Sequence, residues 1–356
     1  MTMAQTTLHR MNSVAFSDAP DSVAICIPTY NQAPYLAQAV RSACAQTYRD
    51  SAGHAVEVWL SDDASTDETP QVVAQLQDEF PHLRAHRQER NLGMSGNPRW
   101  VIRQPRTTYI VKLDSDDILY PEYVAELVAL LNANPKAGYG HCAVEQVDEQ
   151  GEVARVRRLA RASGFQEADD ALRAAVQGYR VAANICVFRR AALEEVDFYK
   201  TDMAFCDDWD LSVRLPDAGW GNVYSEQILA QYRVWEDAGQ VRPRRKMDEI
   251  EGCIRVFDEA LAPAFARRNW ETDVLQGQRR ALALTHASVL DSPIFTPAER
   301  QKLVRLLRAL GDSPRLRVRT RLMRAGYGPL LRLQMNAKIA ARDRVKALLN
   351  ARRKTS

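Results

Sequence analysis

The sequence predicts an α/β protein, a doubly wound and mainly parallel sheet followed by a helical C-terminal appendage. Three observations carry this. From Val23 short apolar runs alternate with helix-period segments, the order that builds βαβ units with right-handed crossovers. Three polar clusters, Thr29-Tyr30-Asn31, Asp62-Asp63 and Asp114-Asp116-Asp117, fall where successive strands should end. Ligands of such sheets bind beyond the carboxyl ends of the strands. From about Arg244 the apolar spacing becomes helical throughout.

The elements follow in order. VAICIP, from Val23 to Pro28, is a run fit for a strand buried on both faces. Tyr35-Leu36, Ala39-Val40 and Ala43 recur at helical spacing and predict a helix from Pro34 to Gln46. VEVWLS, Val56 to Ser61, is the second strand, and the next helix reads with Thr69 as N-cap and Pro70 at its first position. Leu83–Arg87 reads as a short third strand, Asn97–Arg103 as a helix, and TYIVKL as the strand that delivers the aspartates. Pro121 opens a helix carrying Tyr123, Val124, Leu127, Val128 and Leu131 on one face. After Gly138 the pattern is less regular: AANICVF and ILAQYRVW read as strands, and DDWDLSVRL as a helix. The organisation expected is a flexible leader over 1–20, an α/β domain over 21–243 and a helical, basic region over 244–356.

Composition narrows the class. A net charge of +3 over 356 residues does not call for a nucleic-acid partner. Six cysteines occur without a C-x-x-C pair, which argues against a zinc site or a disulfide framework and suits a reducing compartment. No segment approaches the roughly 20 apolar residues of a membrane span, and the N-terminus lacks the apolar stretch of a signal peptide, so a cytoplasmic location is expected. From Arg315 the chain holds roughly a dozen Lys and Arg against one acid, Asp343, with leucines interleaved. This is the composition of a helix that lies on an anionic membrane, here the inner face, or of a bundle that packs on the catalytic domain or on a second subunit as a homo-oligomer.

The acidic clusters carry the chemistry. Asp114, Asp116 and Asp117 repel one another, and Mg²⁺ or Mn²⁺ would neutralise them while holding a diphosphate. Asp63 at a strand end can accept hydrogen bonds from a base or ribose. Asp207, Asp208 and Asp210 open a helix with at least one acid beside its buried stripe, where its pKa can be tuned upward for general-base work. Helix N-termini also favour acids on electrostatic grounds alone. Trp209 and Trp220 read as core rather than as sugar-stacking rings.

IPTYNQAPYLAQAVRSACAQTY, VWLSDDASTDET, NLGMSGN, KLDSDD and DDWDLSVRL, in this order from Val23 to Trp235, resemble the family-2 inverting glycosyltransferases of the Rossmann-like GT-A fold. The resemblance implies a first nucleotide-binding loop at Pro28, Thr29, Tyr30 and Asn31. It implies a base-contacting acid at Asp63, a turn against the nucleotide at Asn91 and Gly93, a D-x-D motif at Asp114 and Asp116 with Asp117 adjacent, and a catalytic base at Asp208. Arg233 and Arg242 would hold the diphosphate, or would be solvated surface arginines. The implied reaction is a single displacement from a nucleotide-diphospho-sugar, UDP-linked, to a hydroxyl of a glycan or lipid-linked acceptor in surface polysaccharide synthesis. The sequence departs from the family pattern at three places. Asp207 stands where Glu is common, Gly96 where Arg often precedes the asparagine, and Trp235 where Tyr-Arg-x-His has its histidine. These departures leave room for a scaffold that binds nucleotide or glycan without turnover. A nucleotidyltransferase is disfavoured, because IPTYNQAP lacks a Gly-rich, basic loop.

Overall fold

The computed structural model describes residues 19–235 and 244–327. The leader before residue 19, Arg242 and the basic segment after 327 lie outside the described residues. The chain divides into two compact units near residue 236.

The first unit is built on one sheet with strand order β3-β2-β1-β4-β9-β6-β10-β5. Its strands are β1 (Val23–Thr29), β2 (Glu57–Asp62), β3 (Arg84–Arg87), β4 (Tyr109–Lys112), β5 (Ile118–Leu119), β6 (Ala137–Val147), β7 (Val153–Arg157), β8 (Gly164–Gln166), β9 (Cys186–Arg189) and β10 (Gly221–Arg233). β3, β2, β1 and β4 run parallel, and β10 runs parallel to β6. β9 is antiparallel to both β4 and β6, so β6 and β10 point the same way as β4. Most of the central sheet is therefore parallel, as expected. All seven residues of β1 are buried, which is why the sequence shows a continuous apolar run instead of an alternation.

Helices α1 (Ala33–Cys44), α2 (Thr69–Glu79), α3 (Gly93–Ile102) and α4 (Tyr123–Ala133) follow β1, β2, β3 and β5. They bury the residues their periodicity marks: Leu36, Ala39, Val40 and Ala43 on α1, and Tyr123, Val124, Leu127, Val128 and Leu131 on α4. α5 (Ala168–Ala175), α6 (Arg190–Glu195) and α7 (Asp207–Asp217) complete the unit.

Several expectations are corrected. α3 begins at Gly93, four residues before the expected start. The 11-residue strand β6 was not expected, because Gly138, Gly140 and His141 interrupt its apolar run. The glycines are there for close approach: a Cβ on Gly138 would sit 2.7 Å from Cβ of Trp220, and one on Gly140 2.9 Å from Cγ2 of Val223. Thr69 is not the N-cap of α2 but its first residue. Its hydroxyl accepts the Gln32 N–H (3.0 Å), while Asp67 accepts the N–H of Thr69 (3.0 Å).

The second unit is helical: α8 (Lys246–Arg255), a π-turn at Val256–Leu261, α9 (Ala262–Arg267), α10 (Asp273–His286), a 3₁₀ turn at Ala287–Asp291, α11 (Pro297–Gly311) and α12 (Pro314–Arg324). Ile250, Phe257, Leu261, Leu303, Leu307 and Leu310 are buried. α11 starts with a capping box between Thr296 and Glu299. Among the described residues no helix is long and apolar enough to cross a membrane.

Candidate functional site

The parallel register brings the ends of β1, β2 and β4 together. Thr29 pairs with Asp62, and Lys112 lies beside Cys26. Two polar loops meet beyond β1 and β2. Asn31, at φ +53°, donates its N–H to Ser65 Oγ (2.9 Å) and accepts the Thr66 N–H on its side-chain oxygen (2.8 Å). Asn is among the few side chains that adopt this left-handed backbone readily. Pro28 and Thr29 close β1, the Thr29 hydroxyl is buried without a hydrogen-bond partner, and Tyr30 is exposed.

Asp63 is 2 % exposed and faces the start of α3. Its two carboxylate oxygens accept the N–H groups of Leu92 (2.7 Å) and Gly93 (3.0 Å). The Asn91 amide donates to the Asp63 carbonyl (3.2 Å). Burial raises the Asp63 pKa, and the two N–H donors oppose the rise. Gly93 adopts φ +83°, which favours glycine. Asp63 and the turn at Asn91 and Gly93, both expected against the nucleotide, thus form one hydrogen-bonded group. Asn97 ties it to β2, donating to the Ser61 carbonyl (2.9 Å) and accepting from Ser61 Oγ (2.6 Å). Ser95 on the same helix donates to the Met203 carbonyl (2.6 Å) and fixes the loop that leads to α7.

The aspartates after β4 separate into two environments. Asp114, partly exposed, accepts from Lys112 Nζ (2.9 Å), and Lys112 is itself buried. Burial favours loss of the lysine proton, but Asp114, Asp208 and Asp207 hold its pKa above the ordinary value. Sequence reasoning missed Lys112. The signal was present as one charged residue in the otherwise apolar run YIVKL.

Asp116 lies on the β10 side. Burial and repulsion from Asp114 raise its pKa, against a hydrogen bond from the Trp235 indole N–H to its Oδ2 (2.7 Å). Trp235, which stands where the family that the sequence resembles often has a histidine, meets the Tyr35 ring edge-on at 4.9 Å. An indole N–H can only donate, so Trp235 cannot serve as a metal ligand.

Asp117 is 1 % exposed, and its Oδ1 accepts the main-chain N–H of Arg233 (2.8 Å). Asp117, expected with Asp114 and Asp116 as a carboxylate that a metal would neutralise, also ties β10 to the aspartate loop. Arg233 is not a solvated arginine. It is 5 % exposed, and its Nε and Nη1 donate to the carbonyls of Asp116 (3.1 Å), Asp148 (2.8 Å) and Glu149 (3.0 Å). Its guanidinium also lies 4.7 Å from the centre of the Tyr35 ring. These bonds make it a clamp on the loops around Asp116.

Asp208 stands in the first turn of α7, after Cys206 at φ +66°. Its Oδ1 is buried without a hydrogen-bond partner. Burial, opposed by Lys112 and reinforced by Asp207 and Asp114, raises its pKa to about 7. Asp210, two residues on, is fully buried between Lys200 (3.0 Å) and Arg214 (2.6 Å) and holds the fold. Trp209 is core, its indole donating to the Ala175 carbonyl (2.7 Å).

Asp114 and Asp116 suit a hard divalent cation. Such ions take one or two carboxylates together with substrate phosphates, and the raised pKa of Asp116 and the unpartnered Oδ2 of Asp117 mark a place short of positive charge. Among the described residues no three acids, histidines or cysteines gather into a complete metal site, so phosphate oxygens or water would have to fill the remaining positions.

Residues 24–197 match the family model described as Glycosyl transferase family 2. The succinoglycan biosynthesis protein ExoO of Rhizobium meliloti is 35% identical over 123 residues, 35% of this chain and 33% of that protein. The chondroitin synthase of Escherichia coli is 37% identical over 102 residues, 29% of this chain and 14% of that protein. The chain therefore matches a third or less of the length of these relatives. Among solved structures, S. aureus TarS 1-349 in complex with UDP-GlcNAc superposes with TM-score 0.61 at 15% identity, covering 85% of this chain and 87% of that one. The mannosyltransferase PcManGT of Pyrobaculum calidifontis, in complex with GDP-Man and Mn²⁺, has TM-score 0.54 at 18% identity, covering 92% and 86%. At these identities the likeness is one of fold.

Proposed function

Because residues 24–197 match the family model described as Glycosyl transferase family 2, we propose that the chain transfers a sugar with inversion from a nucleotide-diphospho-sugar to an acceptor hydroxyl. The observation that carries this reading is Asp208. A carboxylate with an unpartnered buried oxygen and a pKa near 7 is matched to taking a proton from a hydroxyl at neutral pH. Its electrostatic coupling to Asp114 and Lys112 ties it to the strand end where the diphosphate would lie.

In this reading the loop from Pro28 to Asn31 and the group around Asp63 receive the nucleoside. Thr29 brings a hydroxyl in need of a partner. Asp63 accepts from base or ribose on lone pairs that its two N–H donors leave unused. Asp114 and Asp116 would hold Mg²⁺ or Mn²⁺, which would supply positive charge to the departing diphosphate. Asp208 takes the acceptor proton as that oxygen attacks the anomeric carbon from the face opposite the leaving group. Lys112 keeps the neighbouring carboxylates from repelling one another apart, and Trp235 and Arg233 fix Asp116 and its loop. The reading takes UDP as the carrier and a surface glycan or lipid-linked glycan as the acceptor; the UDP-GlcNAc complex of TarS and the succinoglycan biosynthesis in the name of ExoO support a UDP-sugar and polysaccharide synthesis. The proposed domain limits are 21–243 for transfer and 244–356 for the helical region.

Incubation with a panel of α-linked UDP-sugars, Mn²⁺ and oligosaccharide acceptors tests the stereochemistry. Proton NMR of the first product is expected to show a β-linkage. An α-linked product would rule out single displacement.

A further inference from the structure

Helix α12 turns two unlike faces outward and inward. Leu316 and Thr320 are buried in the second unit. On the opposite face Val318 is 55% exposed and Leu322 37% exposed. At 100° per residue these two follow one another along a single stripe. Arg315 flanks the stripe on one side and Arg317 and Arg321 on the other, all three exposed. The helix contains no acid. The nearest one, Asp312, precedes it and pairs with Arg317 through Nε (2.9 Å).

We infer that the outward face of α12 seats the chain on an anionic lipid bilayer, with Val318 and Leu322 entering the acyl boundary and the flanking arginines meeting headgroup phosphates. An apolar stripe between cationic flanks is the arrangement of a helix lying in a membrane interface. Long arginine side chains reach the headgroup level while their stems stay beside the apolar stripe. Nucleic acid would engage the arginines but would give Val318 and Leu322 no apolar surface to enter. A second copy of this face, related by a two-fold axis, would set arginine against arginine with no acid on either helix to intervene, the neighbouring Asp312 being already paired with Arg317. The inference is independent of the glycosyltransfer reading, since bilayer binding and sugar transfer are measured separately.

The test is sedimentation of the full chain with vesicles of phosphatidylglycerol and phosphatidylcholine, compared with phosphatidylcholine alone. Binding is expected to the anionic vesicles, and to fall as salt is raised. Arg315→Gln with Arg321→Gln should lower the partition coefficient roughly 25-fold, about fivefold for each arginine. Val318→Ser with Leu322→Ser should lower it by at least roughly tenfold. Both pairs are exposed, so unchanged thermal melts are expected to show that the fold is intact. Failure of the wild-type chain to bind at low salt would overturn the inference. So would wild-type binding by the Val318/Leu322 variant, which would assign the contact to charge alone or to residues elsewhere in the chain. A concentration-dependent dimer abolished by the serine variant, without vesicle binding, would also overturn it.

Discussion

Asp208→Asn is expected to lower the rate of sugar transfer by roughly 10²- to 10⁴-fold, the usual contribution of a general base, while donor affinity stays within about twofold. The amide keeps the shape of the side chain but cannot take the acceptor proton. In the wild type, kcat should rise with pH through about 7, the value at which burial and the neighbouring Asp207 and Asp114 leave this carboxyl, and this limb should be absent in the variant. The same substitution should stabilise the fold. A carboxyl whose pKa is raised on folding is held in a charged state that opposes folding. That cost is absent below its ordinary pKa, grows as pH rises toward about 7, and is constant above it. The variant should therefore be more stable above pH 7 by up to about 4 kcal/mol, with the gain vanishing toward about pH 4. Thermal melts across this range and initial rates at saturating donor check both parts. Full activity in Asp208→Asn would remove it from the chemistry.

Lys112→Met should act in the opposite direction on stability. Removing one partner of a buried charge cluster leaves the others uncompensated, and costs about 3–5 kcal/mol in fully buried cases. Asp114 is 32% exposed on its side chain, so water takes up part of its charge, and a loss of about 3 kcal/mol is expected near neutral pH. The loss should shrink at about pH 5, where Asp208 is protonated and the repulsion falls. Without the ammonium the Asp208 pKa rises further, so the acidic limb of the rate profile moves to higher pH. Mn²⁺ with a nucleoside diphosphate should stabilise this variant more than the wild type, since the cation replaces part of the missing charge. Equal melting of variant and wild type at both pH values would show that Lys112 does not offset these carboxylates.

The parallel half of the sheet was legible because β1, β2 and β4 are buried on both faces and leave continuous apolar runs. The ends of these strands were legible because acids crowd there, and the structure shows partners that the sequence could not: two main-chain N–H groups on Asp63, Lys112 on Asp114 and the Arg233 N–H on Asp117. The second half was harder to read. β6 uses Gly138 and Gly140 to let Trp220 and Val223 approach, and its pattern resembles a turn until the partners are known. Thr69 illustrates a different limit. Its position suited an N-cap, but its hydroxyl serves the loop after β1, a partner 37 residues away in sequence. Arg233 shows the same effect with charge: three main-chain carbonyls from two distant loops bury it, and nothing local announces them. Lys112 could have been found from the cost of a charge in a buried strand, though its partners on α7 could not.

The most direct test of the central claim is thermal stability of the full chain with UDP, GDP, TDP and CDP, each with and without Mn²⁺. One nucleoside diphosphate is expected to raise the melting temperature in a metal-dependent way. At about 100 times its Kd it should add roughly 2.7 kcal/mol of stability, and Asp116→Ala should abolish the metal-dependent part. Stability unchanged by all four nucleotides, with and without the metal, would contradict a donor site built on Asp114 and Asp116.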